Sequence, residues 1–372
     1  MRPGRFPGRL LIFAALFLRL LAQPWRRKPA PGAVRRVLVL HQFLLGDALM
    51  ATSLLAKARQ RFPDAEIALA CPPAQAPLYA GRPYGVRPLP WQPRDFASIR
   101  RLFAEPRFDI VYLMGENRLS FLARALGARW VVGFAGEAPA YKNWLVDEAV
   151  PYAAEPEAWT DTASRLIDGP EPAPFDLADW PLETQLPMAL PSDYVLLHVG
   201  ASSATRYWTA AAWNRLAQAV RTAGCRVLWS CGPGEQSLLA GIEIAERDVL
   251  VAGTLNLPQL RAVLARARAC VCPDTGIAHL AKVAGAPLLM LFGPGSETLF
   301  GASRFFRNQI CLGAGPAWFP CRGQSSVHHR EVEWALRCGR KLGARAGECR
   351  RAACMEAIDA DDVIRKLMGL LA

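Results

Sequence analysis

From Arg36 onward the chain alternates short apolar runs with longer amphipathic stretches. The runs at 37–41, 66–71, 109–114 and 130–134 are mostly apolar, in Val, Ile, Leu and Ala with aromatic residues, Met and Cys. Such runs suit strands covered on both faces, as in a parallel sheet between helices. Helical stretches fall between them, at 47–61 (stopping before Pro63), near 95–104 and near 118–126. A second series begins at 194–199 and continues with strands at 225–230, 248–252, 269–272 and 287–292. Its helices cover 210–223, start at Glu235, run near 258–267, start at Thr275, and close the chain at about 361–371. Thr209 is placed to cap the helix at 210, with Trp208 and Trp213 as a hydrophobic staple and Gly224 as its stop. Between the two series, residues 151–191 carry eight prolines, which exclude long helices and central strands. The segment reads as a connection with one short helix around 160–167. Strands alternating with helices twice over predict an α/β protein of two Rossmann-like, doubly wound domains. Ligands of such sheets bind at the carboxyl ends of the strands, here in an interdomain cleft.

The resulting partition is an N-terminal segment 1–35, a first domain 36–180 with the proline-rich connection at its end, a second domain 190–355, and a C-terminal helix 356–372. The 372 residues, 52% hydrophobic, are enough for two such cores and exclude a largely disordered chain.

The formal net charge of +12 is unevenly placed. Residues 1–36 hold nine basic residues and no acid, and residues 321–351 hold eight basic against three acidic ones; the remaining body, with 27 basic and 29 acidic residues, is close to neutral. A nucleic-acid binder distributes basic residues over its binding face, so no nucleic-acid partner is expected. The apolar run 10–22 is shorter than the ~20 residues a spanning helix needs and contains Arg19. Two alternatives stand beside an interfacial anchor. One is a signal peptide, for which the cleavage site is poor and Trp25-Arg-Arg-Lys28 follows directly; the other is an untethered start. The favoured reading puts residues 1–28 on an anionic membrane surface.

Ten cysteines are present. Cys71, Cys225, Cys231, Cys270 and Cys272 fall in strand-like runs and read as small core hydrophobes. Cys321, Cys338, Cys349 and Cys354 crowd the basic late segment without a C-x-x-C pair, so no metal site is assigned to them.

Four strand-to-helix junctions carry candidate chemistry. After the first strand, Gly46 and Asp47 open a helix; Asp47 is either a first-turn acid of the capping kind or a base facing the ligand. In Cys272-Pro-Asp-Thr-Gly-Ile-Ala-His279, a strand gives way to a helix whose free N–H groups suit a phosphate. Capping accounts for Asp274 and Thr275 but not for Gly276 or His279. Gly200-Ala-Ser-Ser-Ala-Thr-Arg206 combines small residues, hydroxyls such as Ser202, and one cation, as a diphosphate requires; otherwise it is a polar loop with a solvated arginine. Gly232-Pro-Gly-Glu235 ends in an acid able to accept from a ribose or base, or is a simple turn. Asp359-Ala-Asp361 reads as a helix cap. Walker A, G-x-G-x-x-G, G-x-S-x-G and H-E-x-x-H motifs do not occur, which removes support for ATPase, dehydrogenase, α/β-hydrolase and zinc-protease readings.

Taken in order, these motifs resemble the bacterial heptosyltransferases of glycosyltransferase family 9. The resemblance is carried by Leu45-Gly-Asp47, Arg61-Phe-Pro-Asp-Ala-Glu-Ile67, His198-Val-Gly-Ala-Ser202, Arg206-Tyr-Trp208, Gly232-Pro-Gly-Glu235, Asp274–Ala281, Leu291-Phe-Gly-Pro294 and Cys354-Met-Glu-Ala-Ile358. It implies a GT-B enzyme that transfers a heptose from ADP-heptose to the lipopolysaccharide inner core, with inversion and without a metal or other cofactor. The implied location is the cytoplasmic side of the inner membrane, where the acceptor is lipid-linked. By the same resemblance Asp47 is the catalytic base beside Gly46. Ser202 and Arg206 hold the diphosphate, Glu235 the adenosine, and Asp274, Thr275, Gly276 and His279 the donor's phosphate and sugar. Arg206 stands where the family commonly has lysine, keeping the charge and adding a bidentate fork. The alternatives are a transferase of another nucleotide sugar, a nucleotide-sugar epimerase on the same fold, and an inactive nucleotide-binding scaffold.

Overall fold

The computed structural model describes residues 6–22, 30–182, 186 and 188–372. The tail residues 1–5 and 23–29, including Arg26, Arg27 and Lys28, lie outside the described residues, as do 183–185 and 187 of the connection.

The first sheet contains β1 (Arg36–Leu40), β2 (Glu66–Cys71), β3 (Val86–Pro90), β4 (Ile110–Leu113), β5 (Trp130–Phe134) and β6 (Glu148–Val150). Their spatial order is β3-β2-β1-β4-β5-β6, with every pair parallel. The second sheet contains β7 (Tyr194–His198), β8 (Arg226–Ser230), β9 (Val249–Leu250), β10 (Ala269–Pro273), β11 (Leu288–Leu291) and β12 (Cys311–Ala314). It runs β12-β11-β10-β7-β8-β9, again all parallel. Each sheet therefore has the Rossmann order. The chain lays three strands outward in one direction, returns beside the first, and lays three the other way. The reversal leaves a crevice between β1 and β4 in one sheet and between β7 and β10 in the other, the position where ligands of doubly wound sheets bind.

The fully buried central strands are those legible from their apolar runs. The edge strands β3, β6 and β12 are the ones the pattern did not reveal. β3 contains two prolines, tolerated because an edge strand leaves one row of N–H groups unpaired. The long helix anticipated at 47–61 is two pieces, Leu45–Met50 and Thr52–Arg61. The helix anticipated from Glu235 is one 3₁₀ turn, Gln236–Leu239. There the Glu235 side chain turns back to accept from the Gly232 N–H at 2.8 Å instead of leading a helix.

Two compact units emerge. The first comprises residues 1–155, 160–173 and 326–332; the second comprises 156–159, 174–325 and 333–372. The stretch 326–332, assigned by linear order to the second domain, thus belongs by its contacts to the first unit. It forms the hairpin β13 (Ser326–Val327) and β14 (Arg330–Glu331). Arg330 fixes it there by donating to the carbonyls of Gly115, Phe134 and Ala135.

In the second unit the core is built around Trp208, Trp213 and Trp229 with the inward faces of β7, β8 and β10. Thr209 accepts from the Ala212 N–H at 3.2 Å, and Trp208 meets Trp213 edge to face at 5.1 Å, so cap and staple both form. Val363 and Leu367 of the last helix, Ala360–Leu371, complete this core; Asp359 caps that helix through the Asp361 N–H. In the first unit the N-terminal helix α1 (Phe6–Ala22) lies on the helices Phe96–Phe103 and Ser120–Ala125. Leu16 is buried there and Arg19 donates to the Ala125 carbonyl at 2.7 Å. Leu10, Phe17, Leu18 and Leu21 remain exposed. Among the described residues no helix is long and apolar enough to cross a membrane. The ten thiols are free, and among the described residues no group of three or more His, Cys, Asp or Glu side chains is arranged to hold a metal ion.

Candidate active site

In the second unit, three of the four junctions sit at the carboxyl edge of one sheet, on either side of its reversal point. The loop after β7 carries Ser202 and Arg206, the turn after β8 carries Glu235, and β10 delivers Asp274 and Thr275. Arg206 donates to the Asp274 carbonyl, and its Nη2 lies 3.7 Å from Asp274 Oδ2. Residues 68 positions apart are thereby joined across the reversal point. Asp274 is buried, Oδ2 has no hydrogen-bond partner among the described residues, and burial pushes its carboxyl up against the pull of Arg206, Lys282 and Arg337. A buried carboxylate oxygen left without a donor is costly unless a ligand supplies one.

The helix Gly276–Ala284 starts directly after it. Thr275 occupies the cap position but its hydroxyl makes no capping bond, and the first turn carries no acid. Its leading N–H groups and the positive end of its dipole are thus left to an incoming anion. This is a correction to capping as the explanation of Thr275. His279 is buried beneath this turn. Burial, together with the charges of Lys282 and Arg206, holds its imidazole well below the usual range, so it is neutral, and Nδ1 has no partner among the described residues. Arg206, Asp274, Thr275, Gly276 and His279 therefore form one cluster.

Glu235 lies against the loop after β7: a Cβ on Gly200 would fall 2.1 Å from its Oε2. Glycine at 200 is what allows the two loops to meet. Ser202 is exposed on that loop, whereas its neighbour Ser203 makes the local turn through the Thr205 N–H. One contributor was invisible in the motifs. Gly295, after β11, passes so close that a Cβ there would lie 2.3 Å from Asp274 Oδ2. The Phe-Gly-Pro-Gly string around it was the available signal.

In the first unit Gly46 and Asp47 lie in the first turn of the helix Leu45–Met50, whose cap position is Leu44. Asp47 is thus inside the helix rather than capping it, and its side chain is 27% exposed. Beneath this loop lies His41, buried, with Nδ1 accepting from the Phe43 N–H at 3.2 Å and the ring pushed down to about 3 by burial. His198 occupies the corresponding end of β7, buried against Ser230 and pushed down to about 4. Each sheet thus places a neutral histidine under its main ligand loop.

Two Rossmann-order sheets, with Arg206, Asp274, Thr275, Gly276 and His279 gathered at the reversal point of the second and the partly exposed Asp47 at that of the first, have the GT-B architecture. A sequence profile of glycosyltransferase family 9 (heptosyltransferase) matches residues 96–329, and the chain belongs to that family. Lipopolysaccharide heptosyltransferase 1 of Pseudomonas aeruginosa is 27% identical over 312 residues, covering 77% of this chain and 85% of the relative. Among solved structures, a family 9 glycosyltransferase from Veillonella parvula superposes with a TM-score of 0.66 at 15% identity, covering 91% of this chain and 97% of that one. Escherichia coli heptosyltransferase WaaC with ADP gives 0.64 at 16%, covering 90% and 99%. The chain is a glycosyltransferase of the heptosyltransferase family.

Proposed function

We propose that the protein transfers a heptose from ADP-heptose to the lipopolysaccharide inner core, with inversion at the anomeric carbon and without a metal. The carrying observation is the Arg206–Asp274 pairing beside the uncapped start of the helix Gly276–Ala284. A guanidinium fork and a helix N-terminus supply the positive charge that the departing diphosphate needs. Ser202 and Arg206 hold the diphosphate, and Glu235 the adenosine. Asp274, Thr275, Gly276 and His279 hold the phosphate and the sugar. Asp47, beside Gly46, takes the proton from the acceptor hydroxyl. The acceptor oxygen then bonds to the anomeric carbon from the face opposite the leaving group, and the carbon–oxygen bond to the diphosphate breaks with its electron pair remaining on ADP.

The protein works at the cytoplasmic face of the inner membrane, held there by the exposed leucines and phenylalanines of α1 and by the basic tail. The test uses ADP-heptose and lipopolysaccharide isolated from a strain lacking this protein. The parent should add one heptose mass. Asp47→Asn should bind donor yet lose at least about 100-fold in kcat, while Arg206→Ala should weaken donor binding about 10–100-fold, the scale of a charge-assisted contact. Near-parental turnover by Asp47→Asn, or conversion of donor without acceptor as in an epimerase, would overturn the reading.

A further inference from the structure

The hairpin β13–β14 comes from far along the chain but is built into the first unit, and its tip is chemically unusual. The two loop residues between Val327 and Arg330 are His328 and His329, with φ of 46° and 62°. A two-residue hairpin loop with both central residues at positive φ favours Asn or Gly, because a Cβ is unfavourable there. Here two histidines occupy it. The surroundings hold them in place: Arg330 donates to the Ala135, Phe134 and Gly115 carbonyls, and the Ala138 N–H donates to the His329 carbonyl at 2.9 Å. The tip points His328 at the loop after β1. Its ring lies 4.9 Å from that of Phe43, over Gly115 at the end of β4, where a Cβ would collide with Phe43 and crowd His328. Its Nε2 lies 3.9 Å from Asp47 Oδ1, and its side chain is 17% exposed.

We propose that His328 is the positioning residue for Asp47: it donates from Nε2 to Asp47 Oδ1 as acceptor binds, which leaves Oδ2 aimed at the acceptor hydroxyl. The proposal rests on the reading of Asp47 as the base. No proton leaves His328 in the reaction; the acceptor proton goes to Asp47. A separation of 3.9 Å is longer than a hydrogen bond, and contacts of this kind commonly tighten only in the loaded enzyme. A hairpin anchored through buried carbonyls holds the imidazole within reach while the loop after β1 adjusts. An imidazole, unlike an amide, can carry a positive charge, and a positive charge beside a carboxylate favours its ionised form. The other groups on this site are Tyr152, whose phenol is pushed up by burial with the Asp47 charge adding to it, Arg330 and Glu137 beside it, Glu116, and neutral His41 behind Phe43.

His328→Asn is the informative variant. Asn suits positive φ, so the turn is kept, but its amide is too short to reach Asp47. His328→Gln restores the reach with a neutral donor. With ADP-heptose and lipopolysaccharide from a strain lacking the protein, His328→Asn should lower kcat about 10–100-fold, short of the full contribution of a general base. Donor KM should change less than about 2-fold, because the donor cluster lies in the other unit. The acid limb of kcat/KM should move to higher pH. His328→Gln should recover most of kcat while keeping the displaced limb. If His328→Asn retains parental kcat and an unmoved acid limb while Asp47→Asn is inactive, the positioning role is wrong and the base assignment stands. If Asp47→Asn is itself active, the base assignment fails first. An equal loss in His328→Asn and His328→Gln with an unmoved limb would mark His328 as structural only and also overturn the proposal.

Discussion

The two histidines under the ligand loops make stability depend on pH in a definite direction. His41 and His198 are buried and neutral, with folded values pushed down by burial to about 3 and about 4. In the unfolded chain each titrates near ~6.5. Between those limits the unfolded chain binds more protons than the folded one, so stability falls as pH falls. From pH 7 to pH 5 each histidine withdraws about 2 kcal/mol, about 4 kcal/mol for the pair. His279, also held well below its usual range, acts in the same direction. Asp274, whose carboxyl is pushed up, acts in the opposite one. The effect is therefore best read as a difference between parent and a His198→Gln variant, which keeps a polar partner for Ser230 but cannot titrate. Urea unfolding followed by tryptophan fluorescence at pH 7 and pH 5 gives the stability from midpoint and slope. The variant should lose about 2 kcal/mol less than the parent on acidification of the unit that holds β7. Identical pH dependence in parent and variant would mean that His198 is charged or hydrated in the folded protein, and the reasoning from burial would fail.

Gly295→Ala places a Cβ 2.3 Å from Asp274 Oδ2 and must displace that carboxylate from Arg206. Calorimetric titration with ADP-heptose should show at least about 10-fold weaker binding, with a stability cost of about 1–3 kcal/mol typical of overpacking; parental affinity would remove Asp274 from the donor site. For the N-terminal helix, Phe17→Ser with Leu21→Ser should reduce sedimentation with anionic phosphatidylglycerol vesicles several-fold at low salt while leaving the thermal midpoint unchanged, because both side chains are exposed. Unaltered sedimentation would dissociate α1 from membrane binding.

What could be read from residue order was whatever depends on local pattern. The buried central strands announce themselves as apolar runs, the cap and staple at Thr209, Trp208 and Trp213 follow from adjacent residues, and Asp47, Arg206, Glu235 and Asp274 each stand at a strand-to-helix junction. Those junctions sufficed for the fold class and for the family, since a doubly wound sheet places its ligand at strand ends whatever its sequence. The prolines and glycines of edge strands β3 and β12 hid them, because an edge position relaxes the requirement for continuous pairing. Three features needed the tertiary structure. That Thr275 leaves its helix uncapped depends on a side-chain torsion. That Gly295 presses on Asp274 depends on two strand ends arriving side by side. That residues 326–332 return to the first unit and bring His328 to Asp47 depends on a buried arginine finding three distant carbonyls, a long-range match with no period and no motif. Local spacing carries no information about such a match; only the folded chain does.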